Sequence, residues 1–227
     1  YAVVQTYDGG YAVAGAQYSS GTQYDLSLVT FNSSLVEQDS KIMDFAIAAN
    51  DSLPNYASDI QQTPDGGYIS VGSTFNGTDY DALVIKFNTS LDTVWTTSIG
   101  AAGDDYGNSI QVMSSGNYLV CGTSFDKENH DYDITVWGVA STGTSTDSLY
   151  AETNNGLDDY GNYAEQTSDG GIIIIGTQGD DISLIKLISD GDGTFSADAS
   201  SCTGESGGGD PSTTQVDCEG VTNGVGT

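Results

Sequence analysis

Apolar positions in this chain fall in short runs that close on glycine and are set apart by polar turns. The clearest run is Tyr68-Ile69-Ser70-Val71, entered through Pro64-Asp65-Gly66-Gly67 and closed by Gly72. Proline fixes φ and glycine supplies φ > 0, so the entry residues predict a tight turn and the run a strand. A loop from Ser73 to Tyr80 then delivers Asp81 and a second apolar strand, Ala82 to Phe87. Asn88-Thr89-Ser90 turns the chain into a third strand around Val94-Trp95-Thr96. With the weakly alternating Tyr56 to Gln62 in front, the unit has four short strands joined by tight loops, which predicts one blade of a β-propeller.

The unit recurs. Gln5-Thr6-Tyr7-Asp8-Gly9-Gly10-Tyr11 and Gln166-Thr167-Ser168-Asp169-Gly170-Gly171-Ile172 follow the same plan, and Met113-Ser114-Ser115-Gly116-Asn117-Tyr118 follows it more loosely. The first glycines, Gly9, Gly66, Gly116 and Gly170, are 57, 50 and 54 residues apart. Strand-rich periods of roughly 50 residues belong to propellers and arrays, whose repeats cannot bury their own apolar faces alone. The predicted fold is therefore all-β, with about four blades of four antiparallel strands at 1–55, 56–105, 106–159 and 160–188. An aspartate precedes the second apolar strand of each blade, at Asp25, Asp81, Asp133 and Asp181. Recurrence at one place per blade points to turn capping by backbone N–H groups.

After Lys186-Leu187-Ile188 the pattern stops, and the fourth repeat has no counterpart to the Trp95 strand. Residues 189–227 are rich in Gly, Ser, Thr and Asp, a composition that cannot bury a core of its own. Such a tail is expected to lie against a neighbouring subunit or to complete the open edge of the last blade. The chain also begins inside a repeat, since Tyr1 aligns with Ser58, so the sequence reads as part of something longer and its blades as part of a propeller.

Thirty-two acidic residues against 4 basic ones give a net charge of −28. That surface repels nucleic acid and anionic membranes, which are bound through Lys and Arg, and it favours cations. No run approaches the ~20 apolar residues of a membrane helix. Cys121 takes the slot held by Ala14, Val71 and Ile175 and reads as a buried small hydrophobe. Cys202 and Cys218, alone in the tail, read as a disulfide formed in an oxidising compartment.

Asp104-Asp105-Tyr106-Gly107, Thr63-Pro64-Asp65-Gly66-Gly67-Tyr68, Tyr80-Asp81 and Lys86-Phe87-Asn88 together resemble the DGGY-type, kelch-like β-propeller repeat of secreted and cell-surface proteins. The likeness covers about residues 1–188. It shares a glycine pair, a Tyr and a Trp with kelch repeats, but here the glycines precede the apolar strand instead of following it. The resemblance implies a propeller in an extracellular setting and no single activity.

Catalytic signatures are sparse. His130, the one histidine, sits in the acidic loop Asp126 to Asp133 with no nucleophile motif nearby. The repeated aspartates could pair as glycosidase acid and base, but no off-pattern carboxylate stands out, and no residue is assigned a catalytic or cofactor-binding role. For cations, Asp190 and Asp192 in Ser189-Asp190-Gly191-Asp192-Gly193-Thr194 form a loop that can fold around Ca²⁺, without the distal Glu of an EF-hand. Asp104-Asp105 and Asp158-Asp159 are further candidates at repeat junctions. Sequons stand at Asn32, Asn50, Asn76 and Asn88, with Asn32 and Asn88 in the same hairpin of successive blades, and predict N-linked glycans.

Together these features predict a non-enzymatic extracellular glycoprotein that self-associates into a surface filament or appendage, pilus-like or flagellar-hair-like. The alternative is a binding module, adhesin or lectin-like, that recognises glycan or protein through Tyr80, His130 and Tyr132 on its loop face.

Overall fold

Each repeat is organised by one turn. In the second copy Gly66 takes φ +81°, open to glycine and strained for other residues. Gly66 N–H donates to the Thr63 carbonyl and Thr63 N–H to the Gly67 carbonyl, both at 2.9 Å. Asp65 Oδ1 accepts from Gly67 N–H at 3.1 Å and from the Thr63 hydroxyl. Thr6–Gly10 and Thr167–Gly171 repeat the arrangement. The looser third copy keeps the backbone bonds through Met113, Gly116 and Asn117, so its divergence lies in side chains alone.

A computed structural model describes residues 1–18, 24–43, 56–151, 157–189, 195–197 and 202–204. The first sheet holds β1 (Ala2–Gln5), β2 (Tyr11–Tyr18), β3 (Tyr24–Phe31) and β4 (Glu37–Met43). The second holds β5 (Tyr56–Gln62), β6 (Tyr68–Phe75), β7 (Tyr80–Phe87) and β8 (Thr93–Ile99). The third holds β9 (Asp105–Val112), β10 (Tyr118–Asp126), β11 (Asp131–Val139) and β12 (Ser145–Ala151). The fourth holds β13 (Asp159–Gln166), β14 (Ile172–Gln178), β15 (Asp181–Ser189), β16 (Phe195–Ala197) and β17 (Cys202–Gly204). Every pairing is antiparallel, and in the first three sheets strand order follows chain order. The β-propeller architecture expected from the repeats is thus present.

The fourth sheet differs at its outer edge. There two short tail strands share β15, with β16 beside Leu187–Ser189 and β17 beside Ile182–Leu184. Backbone ladders of this kind form whatever the side chains, which suits a Gly- and Ser-rich segment.

Blades stack face to face because each central strand is apolar on both sides. From β6 and β7, Tyr68, Leu83, Ile85 and Phe87 pack on Ala12, Ala14, Leu26 and Leu28 of the first sheet. The alternate residues Ile69, Val71, Ala82 and Val84 pack on Tyr118, Val120, Trp137 and Val139 of the third. Leu119, Cys121, Ile134 and Val136 then meet Ile172, Ile174, Ile185 and Leu187 of the fourth. Burying each large side chain contributes about 1.5–3 kcal/mol, so these three interfaces carry most of the apolar stabilisation. No comparable packing joins the fourth sheet to the first among the described residues. The glycine that closes each apolar run permits the close approach of the first strand: a Cβ on Gly72 would lie 1.8 Å from the Tyr56 carbonyl oxygen. The Cys121 thiol is free and buried, and burial pushes it up to about 12.

Two of the chain's 4 basic residues serve the glycine turns. Lys86 is 5% exposed, and its Nζ donates to Thr63 Oγ1 at 3.0 Å, Asp65 Oδ1 at 3.0 Å and the Phe87 carbonyl at 2.9 Å. Lys186 repeats this with Thr167 and Asp169. The Thr63 hydroxyl bond, with further help from Lys86 and the Gly67 N–H, lowers the Asp65 carboxyl to about 2. A carboxylate lowered in the folded state stabilises it above the unfolded value near 3.8, and that contribution disappears as pH falls through about 2. Lys86→Met is therefore expected to cost about 2 kcal/mol in denaturant unfolding at pH 7, as removal of hydrogen bonds to a charged group does. Lys41→Met, which breaks only the exposed pair with Asp92 at 3.6 Å, should change stability by less than about 0.5 kcal/mol. Equal losses in the two variants would show that the buried lysine does not hold the turn.

Candidate functional site

The rim where one blade hands over to the next gathers the carboxylates and tyrosines. β9 and β13 open with Asp105-Tyr106 and Asp159-Tyr160, while β7 and β11 reach the same rim at Tyr80-Asp81 and Tyr132-Asp133. Asp104 Oδ1 accepts from Tyr80 N–H at 3.0 Å, and Asp158 Oδ1 accepts from Tyr132 N–H at 3.1 Å. Each connection is thereby tied to the hairpin of the preceding blade. The tyrosines form a row: ring centroids are 5.7 Å apart for Tyr80–Tyr106, 6.4 Å for Tyr106–Tyr132 and 5.8 Å for Tyr132–Tyr160. Phe75 and Phe125 meet Tyr80 and Tyr132 edge-on.

Beside this row, between the second and third blades, lies a cavity of about 790 Å³ lined in part by Gly100, Asp105, Phe125, Asp126, Asp133 and Trp137. Asp105 is 1% exposed and accepts from the Ser124 hydroxyl and, at 2.8 Å, from Ala101 N–H. Burial raises its carboxyl above the usual range against those hydrogen bonds, with Asp81 and Asp79 adding repulsion. Burial also raises Asp81. The two converge: a Cβ on Gly100 would lie 2.5 Å from Asp105 Oδ2 and 2.7 Å from Asp81 Oδ1. Asp79, in contrast, is lowered, first by Gly103 N–H at 2.9 Å and then by Asn76.

A second group lies at the end of the β10–β11 hairpin, where Asp126 stands opposite Asp131 in the register. Oxygens of Asp126, Asp131 and Asp133 all lie within 4.8 Å of one another, a donor set that could hold a metal ion. Burial, followed by repulsion from Asp131, Asp126 and Asp159, raises Asp133 to about 6.

Two of the recurring aspartates depart from the backbone capping expected of them. Asp81 is bonded by the Asn76 amide, and Asp25, 1% exposed, has its Oδ1 without a partner. His130 is exposed in the hairpin turn at φ +63°. Asn32 and Asn88 do occupy one turn type, each accepting at Oδ1 from the residues two and four positions on. The Asn76 amide nitrogen, the atom a glycan would use, is bonded to Asp79 and Asp81. Asn50, Asp190, Asp192 and Cys218 lie outside the described residues, and with them the predicted Ca²⁺ loop and the Cys202–Cys218 bridge. Asp79, Asp126 and Asp131 were not singled out in the sequence; aligning the Phe75-Asn76 and Phe125-Asp126 hairpins would have shown them.

No family model matches the chain, and no curated protein matches it significantly. In fold it is similar to an endo-arabinase from Bacteroides thetaiotaomicron, at 13% identity and TM-score 0.46, covering 85% of this chain and 75% of that one. It is also similar to fructan 1-exohydrolase IIa from Cichorium intybus, at 10% identity and TM-score 0.49, covering 85% of this chain and 42% of that one. A third likeness is to an α-L-arabinofuranosidase from Clostridium thermocellum, at 14% identity and TM-score 0.45, covering 86% and 70%. These three are named as glycan-cleaving enzymes and none as a filament subunit, so the expectation of a non-enzymatic filament subunit is withdrawn together with the assignment of no enzymatic role. At these identities the likeness concerns architecture, and any activity must be argued from the residues of this chain. No helix among the described residues is long and apolar enough to cross a membrane.

Tyr106 sits between two ring neighbours in the tyrosine row. Aromatic pairs contribute about 0.5–1.5 kcal/mol each beyond burial, so Tyr106→Leu should lower stability by about 1–2 kcal/mol. Tyr160→Leu, with one ring neighbour at the exposed end, should lower it by less. Denaturant unfolding checks the order, and the reverse order would deny the row a structural role.

Proposed function

We propose that the protein processes glycans, with Asp105 and Asp81 as its catalytic carboxyl pair. The observation that carries this reading is their convergence at Gly100, which lines the cavity with Asp105, both carboxyls being raised by burial. Hydrolysis of a glycosidic bond needs one carboxyl that still holds a proton and a second that is ionised. Asp105, the more deeply buried, donates its proton to the leaving glycosidic oxygen as the C–O bond breaks. Asp81, held by the Asn76 amide at 3.0 Å and too close to Asp105 across Gly100 for a water between them, is the carboxylate that bonds to the sugar carbon as the leaving oxygen departs. Water then cleaves that ester, giving a proton to Asp105 and its hydroxyl to the sugar carbon while Asp81 leaves as the carboxylate. Sugar rings present C–H faces to aromatic rings and hydroxyls to carboxylates, and Trp137 and Phe125 offer such rings in the cavity wall. A glycan substrate accords with the extracellular setting that the DGGY-type resemblance implies.

Incubation with a panel of soluble furanose and pyranose polysaccharides, followed by reducing-end release, tests the assignment. Wild type is expected to cleave at least one, and Asp105→Asn to lose at least about 100-fold in rate with an unchanged circular dichroism spectrum. Asp81→Asn serves if Asp105→Asn does not fold. Absence of cleavage across the panel, or full activity in the folded variants, would overturn the proposal.

A further inference from the structure

The second and third blades solve the same electrostatic problem in different ways. In the second, Asp79 and Asp81 close the β6–β7 hairpin, and the Asn76 amide nitrogen donates to Asp79 Oδ1 at 2.6 Å and Asp81 Oδ2 at 3.0 Å. Asp79 also accepts from Gly103 N–H at 2.9 Å. The register pairs Phe75 with Tyr80 and Phe125 with Tyr132, so Asp126, Asp131 and Asp133 occupy the positions of Asn76, Asp79 and Asp81. Where the second blade has an amide, the third has another carboxylate. Asp126 has no proton to donate across the hairpin and instead accepts from Glu128 N–H at 2.6 Å and from Asn129 Nδ2 at 2.8 Å.

The result is visible at Asp131. It is 4% exposed, and both carboxylate oxygens are buried with no hydrogen-bond partner. They lie in a group of three carboxylates whose ligand oxygens are within 4.8 Å of one another. A buried ionised carboxylate without a partner is strongly unfavourable, and two further carboxylates beside it make it more so. A bound cation reverses the sign of that interaction. An all-oxygen, all-carboxylate set with two of its members nearly buried suits a hard divalent ion, and Ca²⁺ accepts six to eight oxygens at flexible geometry where Mg²⁺ demands an octahedron.

We infer that Asp126, Asp131 and Asp133 form a Ca²⁺ site that fastens the β10–β11 hairpin at the rim of the third blade. The site is distinct from the Asp105–Asp81 pair and stands whether or not that pair is catalytic. With three carboxylates and an exposed side, affinity should fall in the range of extracellular calcium modules, about 10⁻⁴–10⁻³ M.

The second blade supplies the decisive variant, since Asp126→Asn installs the amide already accommodated at Asn76. At 10 mM CaCl₂ the folding equilibrium of wild type should improve about 10- to 100-fold over calcium-free buffer of equal ionic strength, read as a rise in Tm of several degrees. Isothermal titration of the full chain should show a saturable site that Asp126→Asn loses. In calcium-free buffer Asp126→Asn should melt above wild type, because the amide can now donate to its neighbours. If Asp126→Asn fails to fold, Asp131→Asn is used for the titration. Equal calcium responses in wild type and the folded variant would mean diffuse screening of the −28 charge, and would overturn the site, as would the absence of any response.

Discussion

Face-to-face packing of two-sided apolar sheets is the constraint on which the rest of this molecule depends. In β6, seven residues running from Tyr68 are buried whichever side they face, so neither surface of the second blade tolerates water. The alternation then assigns each side chain to one of two interfaces, with Leu83 and Ile85 to one neighbour and Ala82 and Val84 to the other. A one-residue slip would exchange the two sets, which is why the register is held by a fixed turn at one end of the hairpin and by buried aspartates at the other. The fourth blade shows the same logic from its free side. Ile175, Ile182 and Leu184, on the face turned away from the third blade, are 44%, 64% and 38% exposed, whereas their alternates Ile174, Ile185 and Leu187 are buried.

Close stacking has an electrostatic consequence. Bringing blade against blade presses the start of each first strand onto the hairpin of its predecessor, and both carry aspartates. Asp105 and Asp159 are buried to 1% and 0%, so charge repulsion and desolvation at the rim follow from the same geometry that fills the core. The chain offsets this locally. Ser124, Ala101 and Gly103 donate at one junction, and Gly179 N–H bonds Asp159 Oδ1 at 2.8 Å at the next. With 4 basic residues in the chain, two of them committed to the glycine turns, amides and hydroxyls have to do what lysines would do elsewhere.

Strands, turns and blade order were legible because they are periodic. Gly66 and its equivalents announce a positive φ, and the apolar runs after them announce strands, so the propeller follows from composition and spacing. What was not legible depends on partners distant in sequence. Nothing near Lys86 marks it as buried, because its partners Thr63 and Asp65 reach it only once β6 and β7 pair. The two tail strands on β15 carry no strand pattern in the sequence, and their places follow from the backbone register with β15. Asp81 was visible as a repeated residue and read as a cap, and Asp105 as a cation candidate at a repeat junction; only the approach of β9 to Gly100 makes them a pair.

Repetition and chemistry pull against each other in such a chain. A residue found at the same place in every blade is explained by the blade, and its presence argues little about activity. Departures from the repeat are more informative, because the architecture does not require them. Asn76 against Asp126 is such a departure: both hairpins fold, both place two aspartates at corresponding positions of the returning arm, and only one supplies the donors those aspartates need. A side chain change that worsens local electrostatics without altering the backbone must be compensated from outside the repeat, by an ion or a ligand. The third blade, which also has the longer hairpin and the turn lacking its aspartate, is thus where this repetitive molecule is least governed by its own period.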